Sequence, residues 1–211
     1  MIERYFLIID VETTKRNTVA DFGAVLVDLQ TGEILDQLGV FLYDEYITNA
    51  DLFYIKNVPS DHFWSKRNAK LRRIQAHDMV QKGQRWIGAT SKINEWLALQ
   101  VAAYDPVFTA FNWAFDREKC RRSGIQIDLG RHGAHWCLYQ SSKKAFLDDP
   151  EYLLFCERRG FKTKGGKAQC TANSVAQYLI GELPDEPHTS LEDARDYEVP
   201  IALELRRRGV L

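Results

Sequence analysis

The chain has little cysteine, no long apolar run and almost no net charge, and each of these absences removes a class of protein. Its four cysteines, Cys120, Cys137, Cys156 and Cys170, form no CxxC pair. Neither a secreted disulfide scaffold nor a thiolate zinc cage is therefore expected, and reduced thiols in a cytoplasmic protein are. The first apolar run, Tyr5 to Ile9, is interrupted by Asp10 and Glu12, which fits no signal peptide. No stretch approaches the roughly 20 apolar residues of a membrane span, so no membrane partner is expected. With Lys+Arg 28 against Asp+Glu 29, no global field draws a polyanion. Such a partner has to be met by a local patch. There is no internal repeat and no linker-like tract, and 211 residues suffice for one sizeable core, so residues 1–211 are expected to form a single domain.

What is present reads as alternating elements. Residues 5–10 (YFLIID), 20–29 and 33–43 are short runs rich in β-branched and aromatic side chains. The last two are joined by Gln30-Thr31-Gly32, whose glycine supplies a tight turn, and the three strands predict an antiparallel meander. Beyond them, Trp86, Ile87, Ile93, Trp96, Leu97 and Val101 recur at helical intervals. A strand follows at 106–111, a helix from Trp113 to Ser123 stopped by Gly124, and a strand at His132–Cys137. Residues 170–180 predict a helix closed by Gly181. The last helix is expected to start near Ser190, with Asp193 in a capping-box position and a kink near Asp196 imposed by Pro200. A meander followed by alternating helices and strands predicts an α/β domain built on one mixed sheet flanked by helices.

Charge is unevenly spread. Residues 28–53 hold six acidic side chains and no Lys or Arg, whereas residues 56–85 hold eight basic side chains and two acidic ones, with Phe63 and Trp64 among them. A second basic cluster, Arg158, Arg159, Lys162, Lys164 and Lys167, surrounds Gly160, Gly165 and Gly166. Each is a solvated face on its own; together they suit the two sides of a groove for a phosphate backbone. Lys66, Arg67, Lys70, Arg72 and Arg73 are then expected to line the strand path, contributing to binding and not to the chemistry.

Four acids and one histidine carry the chemical signal. Asp10 and Glu12, at i and i+2 on one strand, point to the same face. Asp116 falls in the first turn of the helix after the strand 106–111. Asp193 follows His188 by five residues at the start of the last helix. Singly, each has an ordinary structural explanation, such as a solvated strand end or a helix-dipole partner. Assembled, an all-oxygen carboxylate set suits a hard divalent ion, magnesium or manganese. His132, His135 and Cys137 have the spacing of a strand, which favours packing and surface roles over zinc.

These residues resemble the DEDDh family of 3′ to 5′ exonucleases. Ile8-Ile9-Asp10-Val11-Glu12-Thr13-Thr14 is similar to that family's strand and DxET motif, Asn112-Trp113-Ala114-Phe115-Asp116 to NxxFD, and His188-Thr189-Ser190-Leu191-Glu192-Asp193-Ala194 to HxxxxDA. The three motifs occur in the family's order and span residues 8 to 194. The resemblance implies an RNase H-like fold and a site for two Mg²⁺ or Mn²⁺ ions, held by Asp10, Glu12 and Asp193 directly and by Asp116 through water. His188 is the implied general base. Thr13 and Thr14 are implied to hold the terminal nucleotide and Asn112 to touch the substrate strand. Where the family commonly has glycine after the two threonines this chain has Lys15 and Arg16, which offer phosphate contacts. Phe111, Trp113 and Phe115 are candidates for stacking on bases, with Phe115 the one best suited to the core.

The implied activity is release of nucleoside 5′-monophosphates from the 3′ end of single-stranded or frayed DNA. Trimming of RNA ends is the close alternative. A non-catalytic nucleic-acid-binding or polymerase-associated module is another, which five intact site residues disfavour. A homodimer or a polymerase partner stays open.

Overall fold

The computed structural model describes residues 3–42, 56–60, 65–127, 135–181, 184 and 187–211. Phe63, Trp64, His132 and the acids Asp44, Glu45 and Asp51 lie outside the described residues. The sheet begins with β1 (Tyr5–Thr13), β2 (Val19–Asp28) and β3 (Glu33–Leu42), an antiparallel meander as the sequence predicts. Gly32, at φ +78°, closes the β2–β3 turn through its N–H to the Asp28 carbonyl at 2.8 Å. Three short strands extend the meander: β4 (Trp86–Gly88), β5 (Val107–Ala110) and β6 (His135–Cys137), each parallel to its neighbour. The order across the sheet is β4-β3-β2-β1-β5-β6.

β1 is central, between β2 and β5, and its apolar run is continuous because both of its faces are covered. Phe6 and Ile8 enter one core and Leu7, Ile9 and Val11 the other. The alternation that buries Phe6 and Ile8 carries Asp10 and Glu12 onto the same face at the strand's end. Between the strands run α1 (Lys66–Gln81), α2 (Thr90–Tyr104), α3 (Trp113–Arg122), α4 (Leu138–Phe146), α5 (Pro150–Arg159) and α6 (Ala172–Ile180). The chain ends in α7 (Ser190–Glu192), a π-helical turn (Asp193–Glu198) and α8 (Val199–Arg207). Among the described residues no helix is long and apolar enough to cross a membrane.

Three expectations need correction. Trp86 and Ile87 do not belong to a helix; they form β4, with Trp86 68% exposed, and the helix begins only at Thr90. Their helical spacing to Ile93 was coincidental, because three rungs of parallel pairing to β3 decide their conformation. Asp193 closes no capping box, and α7 has no side-chain cap of its own. Its first free N–H, that of Ser190, is bound instead by the Asp21 carboxylate of β2 at 3.0 Å, which leaves Asp193 to face elsewhere. Where a kink was expected near Asp196, the backbone widens into a π turn just ahead of Pro200, whose missing N–H would have bonded the Asp196 carbonyl.

α7 reaches the sheet at a glycine pair. Gly23 of β2 and Gly39 of β3 are cross-strand partners. A Cβ on Gly23 would overlap the backbone of Ser190 and Leu191, and one on Gly39 would lie 2.9 Å from the Arg85 side chain. The helix start therefore rests on bare strand backbone. Gly23→Ala is expected to reduce unfolding free energy by about 3 kcal/mol, because the opposing atoms are backbone and cannot turn aside. Urea melts of the two proteins check this, and a loss below about 1 kcal/mol would mean that the contact is looser than described.

Candidate active site

The three motif segments converge at the C-terminal end of β1. A carboxylate oxygen of Glu12, one of Asp193 and a ring nitrogen of His188 all lie within 4.8 Å of one another. His188 Nδ1 is 3.7 Å from Glu12 Oε1. Asp116 comes from the opposite side of the strand. Trp113, Asp116 and Cys120, spaced three and four apart, are the buried face of α3, so its first turn points the carboxylate inward, where the Val11 N–H donates to it. Burial first, then the charges of Asp10 and Glu12, hold the Asp116 carboxyl well above the usual carboxylate range. Asp193 is buried and His188 half-exposed. Burial and the nearby Arg72 guanidinium hold the His188 imidazole below its ordinary value. His188 adopts φ +56°, a left-handed turn that brings the chain around into Thr189 and α7.

A second set of charges, unmarked by any motif, fastens this arrangement. Arg85, the residue before β4, has a fully buried side chain. Its guanidinium forks onto both carboxylate oxygens of Glu192, one of them at 3.0 Å, and its Nε lies 3.4 Å from Asp21 Oδ1. Asp21 is the cross-strand partner of Glu12. One arginine thus ties the strand facing Glu12 to the residue preceding Asp193. Burial raises the Asp21 carboxyl above its ordinary range, against the opposing pull of Arg85. Sequence reasoning missed this group. The only signals were a lone arginine before a three-residue apolar strand and two glycines in the middle of strands.

The remaining expected residues divide. Thr13 lines a small cavity together with Glu12, Arg72 and His188. Thr14 does not; it is buried, and its hydroxyl bonds that of Thr18 at 2.8 Å and accepts the Arg16 N–H at 3.1 Å. Lys15 and Arg16 are exposed on this turn. The absent family glycine is answered by Asn17 at φ +63°, which asparagine tolerates. Asn112 is exposed at the start of α3. The aromatic assignment is reversed. Phe115 is 42% exposed with the Lys119 ammonium over its ring, whereas Trp113 is core and stacks on His135, and Phe111 packs on Tyr139. The helix face decides it, since position 115 lies opposite the stripe 113, 116 and 120. His135 is taken up by that stacking, and Cys137 Sγ donates to the Phe111 carbonyl at 3.5 Å. Of the loop basic cluster, Lys162 lines a different cavity, with Leu153, Cys156 and Glu157.

No family model and no curated protein matches the sequence. The fold does match solved structures. A 3′-exonuclease solved for its 3′-end-specific recognition of a histone mRNA stem-loop aligns with a TM-score of 0.59 and 16% identity, over 99% of this chain and 84% of that one. A full-length 3′-exonuclease aligns at 0.52 and 16%, again over 99% and 84%. The nuclease domain of 3′hExo, a DEDDh family member bound to rAMP, aligns at 0.51 and 17%, over 98% and 94%. At these identities the likeness shows the fold: the mixed sheet expected from the sequence is that of the RNase H-like exonucleases.

Arg85→Met is expected to lower stability by about 3 kcal/mol, because it strands a buried carboxylate at Asp21 and leaves Glu192 without its partner. The loss has a sign in pH. The unfolded chain releases the Asp21 proton in the ordinary carboxylate range while the folded variant retains it to higher pH, so the folded state holds more protons in between. Stability of the variant therefore falls as pH rises from about 4 to 7, more steeply than in the parent. Denaturant melts across that range in EDTA check this; equal slopes would show that Arg85 does not offset the Asp21 charge.

Proposed function

We propose that the protein is a divalent-metal-dependent 3′ to 5′ exonuclease whose single domain hydrolyses phosphodiester bonds at a nucleic-acid 3′ end and releases nucleoside 5′-monophosphates. The observation that carries this reading is the meeting of Glu12, His188 and Asp193, with Asp116 near enough to Asp10 and Glu12 to feel their charge, out of three segments far apart in sequence. The 3′-exonuclease folds it resembles support it.

The donor set fits hard divalent cations. It is all carboxylate apart from one imidazole, and burial first, then the charges of Asp10 and Glu12, raise the Asp116 carboxyl above its ordinary range. Asp10, Glu12 and Asp193 would hold the metal, with Asp116 through water. When bound, Mg²⁺ or Mn²⁺ supplies Lewis-acid stabilisation of the scissile phosphate and the leaving oxygen and lowers the pKa of the attacking water. The rest falls to side chains. His188 accepts the proton of the attacking water on an imidazole nitrogen. The water oxygen bonds to phosphorus, the bond from phosphorus to the 3′ oxygen breaks, and that oxygen takes a proton from solvent. Burial and Arg72 favour the neutral imidazole that this requires. Thr13, beside Glu12 and His188, contacts the terminal nucleotide; Asn112, Lys15 and Arg16 contact the strand from exposed positions. Exposed Phe115 next to Asp116 offers a stacking surface.

Single-stranded or frayed DNA is the first substrate reading. RNA is the second, favoured by one relative studied on an mRNA stem-loop and another bound to rAMP. The free state of all four cysteines suits a cytoplasmic setting for either.

With 5′-labelled DNA and RNA oligonucleotides and Mg²⁺, a ladder shortening from the 3′ end is expected, abolished by EDTA; no shortening of either would sink the reading. Asp10→Ala and Asp193→Ala should abolish turnover and still melt cooperatively, since each removes a mutually repelling charge. His188→Ala should lose about 10² to 10⁴-fold in kcat, and a loss under about threefold would exclude it as base. Neutralising Lys66, Arg67 and Lys70 together should flatten the dependence of log affinity on log salt by about 0.7 per lost contact, measured with Ca²⁺ to block cleavage. An unchanged slope would return these three to a merely solvated face.

A further inference from the structure

α5 is followed by a short hairpin, residues 161–169. Its two arms are joined by the Gln169 N–H to the Phe161 carbonyl at 2.9 Å and the Thr163 N–H to the Lys167 carbonyl at 2.8 Å, with Lys162 bridging Ala168 between them. The Gly166 N–H closes the turn on the Thr163 carbonyl at 2.9 Å, and Gly166 itself, at φ +78°, takes the left-handed bulge position of a three-residue hairpin loop. The base is pinned by the Tyr152 hydroxyl, which donates to the Gln169 carbonyl at 2.7 Å, and by Phe155 against Phe161. No residue of this hairpin lines the cavity shared by Glu12, Thr13 and His188.

The positive charges here divide by what accounts for them. Arg158 and Arg159 stand in the last turn of α5, where the helix dipole favours cations. Lys162 Nζ lies 3.8 Å from Glu157 Oε1. Neither reason covers Lys164 and Lys167, both exposed at the tip. Gly165 between them is equally unaccounted for by the fold. Its φ is not left-handed, and a Cβ there would meet only Thr163 Oγ1, at the ordinary contact distance of 3.9 Å. Neither conformation nor crowding asks for glycine, whose freedom in the unfolded chain is a stability cost. Among the described residues no hydrogen bond takes up its N–H or that of Lys164. The result is bare backbone between two lysines, open to close approach by an anion's oxygen.

The tip, Thr163-Lys164-Gly165-Gly166-Lys167, has no apolar side chain to enter a bilayer and no aromatic ring to stack on a base. Charge and N–H donors are what it offers, and these read a phosphate backbone whatever its sequence. Resting on the nuclease reading, we infer that this tip anchors the phosphate backbone of the nucleic acid outside the catalytic cavity. Lys164 and Lys167 pair with phosphates, and the Gly165 N–H donates to a phosphate oxygen. The anchor selects no base and does no chemistry; it holds long strands more firmly than short ones.

Equilibrium binding to the intact chain tests it, with Ca²⁺ in place of Mg²⁺ to block cleavage. The probes are a long labelled oligonucleotide and one of about four nucleotides, a minimal single-strand footprint. Lys164→Gln combined with Lys167→Gln should weaken the long probe about tenfold and flatten its slope of log affinity against log salt by about 1.4, two contacts at about 0.7 each, while the short probe loses less than about twofold. Gly165→Gln leaves every charge in place and has room in the turn. It should melt close to the parent and still weaken the long probe about fivefold, the worth of one net hydrogen bond. Parent-like binding of the long probe by either variant overturns the inference, as does an equal loss on both probes. So does a parent that binds phosphatidylserine vesicles through these lysines and leaves the long probe free. If the parent binds the long probe through this tip and shortens neither DNA nor RNA with Mg²⁺, the anchor stands and the nuclease reading alone falls.

Discussion

A helix start laid directly on strand backbone is the constraint on which the site depends. Gly23 and Gly39 face one another across β2 and β3, and the space their missing side chains leave is filled by the first turn of α7 and by the Arg85 side chain. Because Gly23 is also the cross-strand partner of Asp10, the depth at which α7 rests sets how closely residues 188 to 193 approach β1. Arg85 then fixes the lateral position, since a fork to Glu192 and a contact to Asp21 can be satisfied in only one placement of the helix. Packing decides the distance and electrostatics the register. Neither task falls to the residues that would meet a substrate.

The two charge groups are opposite in character. Around Arg85 a single cation answers two carboxylates, and the second Asp21 oxygen accepts the Ser190 N–H. Around Glu12 several acids gather, and burial together with the charges of Asp10 and Glu12 raises the Asp116 carboxyl above its ordinary range. Such frustration is a stability cost that a structural cluster would have shed by substitution, since buried like charges have cheap apolar replacements. The neighbouring Arg85 clamp gives this group a rigid frame.

Legibility followed the strength of the local signal. The meander was readable because its apolar runs are long and its turn has a glycine at the left-handed position, Gly32. α3 and α6 were readable from period and stop signals. α1, α4 and α5 went unnoticed: α1 has a buried stripe made largely of alanine, so its period carries almost no hydrophobic contrast. β4 was misread because three residues are too few to distinguish alternation from a helical period. At the site, residues in named motifs could be placed together in advance, whereas Arg85, Glu192, Asp21 and the inward turn of Arg72 follow only from tertiary packing. Phe115 and Trp113 were exchanged for the same reason, since sequence gave both as aromatic neighbours of Asp116 and only the helix face tells them apart.

Docking and chemistry are thermodynamically joined in this arrangement. Asp193 and His188 reach Glu12 only when α7 is seated on Gly23, so any cation or anion that binds the assembled group binds the seated state alone. It must then stabilise the seating by the free energy of its own binding, and a firmer seat must raise its affinity by the same factor. Arg85 acts on that equilibrium from outside the cavity, because it binds Glu192 whether or not the carboxylates beside Asp193 are neutralised. The cluster's self-repulsion tends to unseat the helix and the clamp opposes it. A site of this kind is preformed to the extent that the second exceeds the first, and the clamp acts where Ser190, Asp193 and Arg85 are all buried.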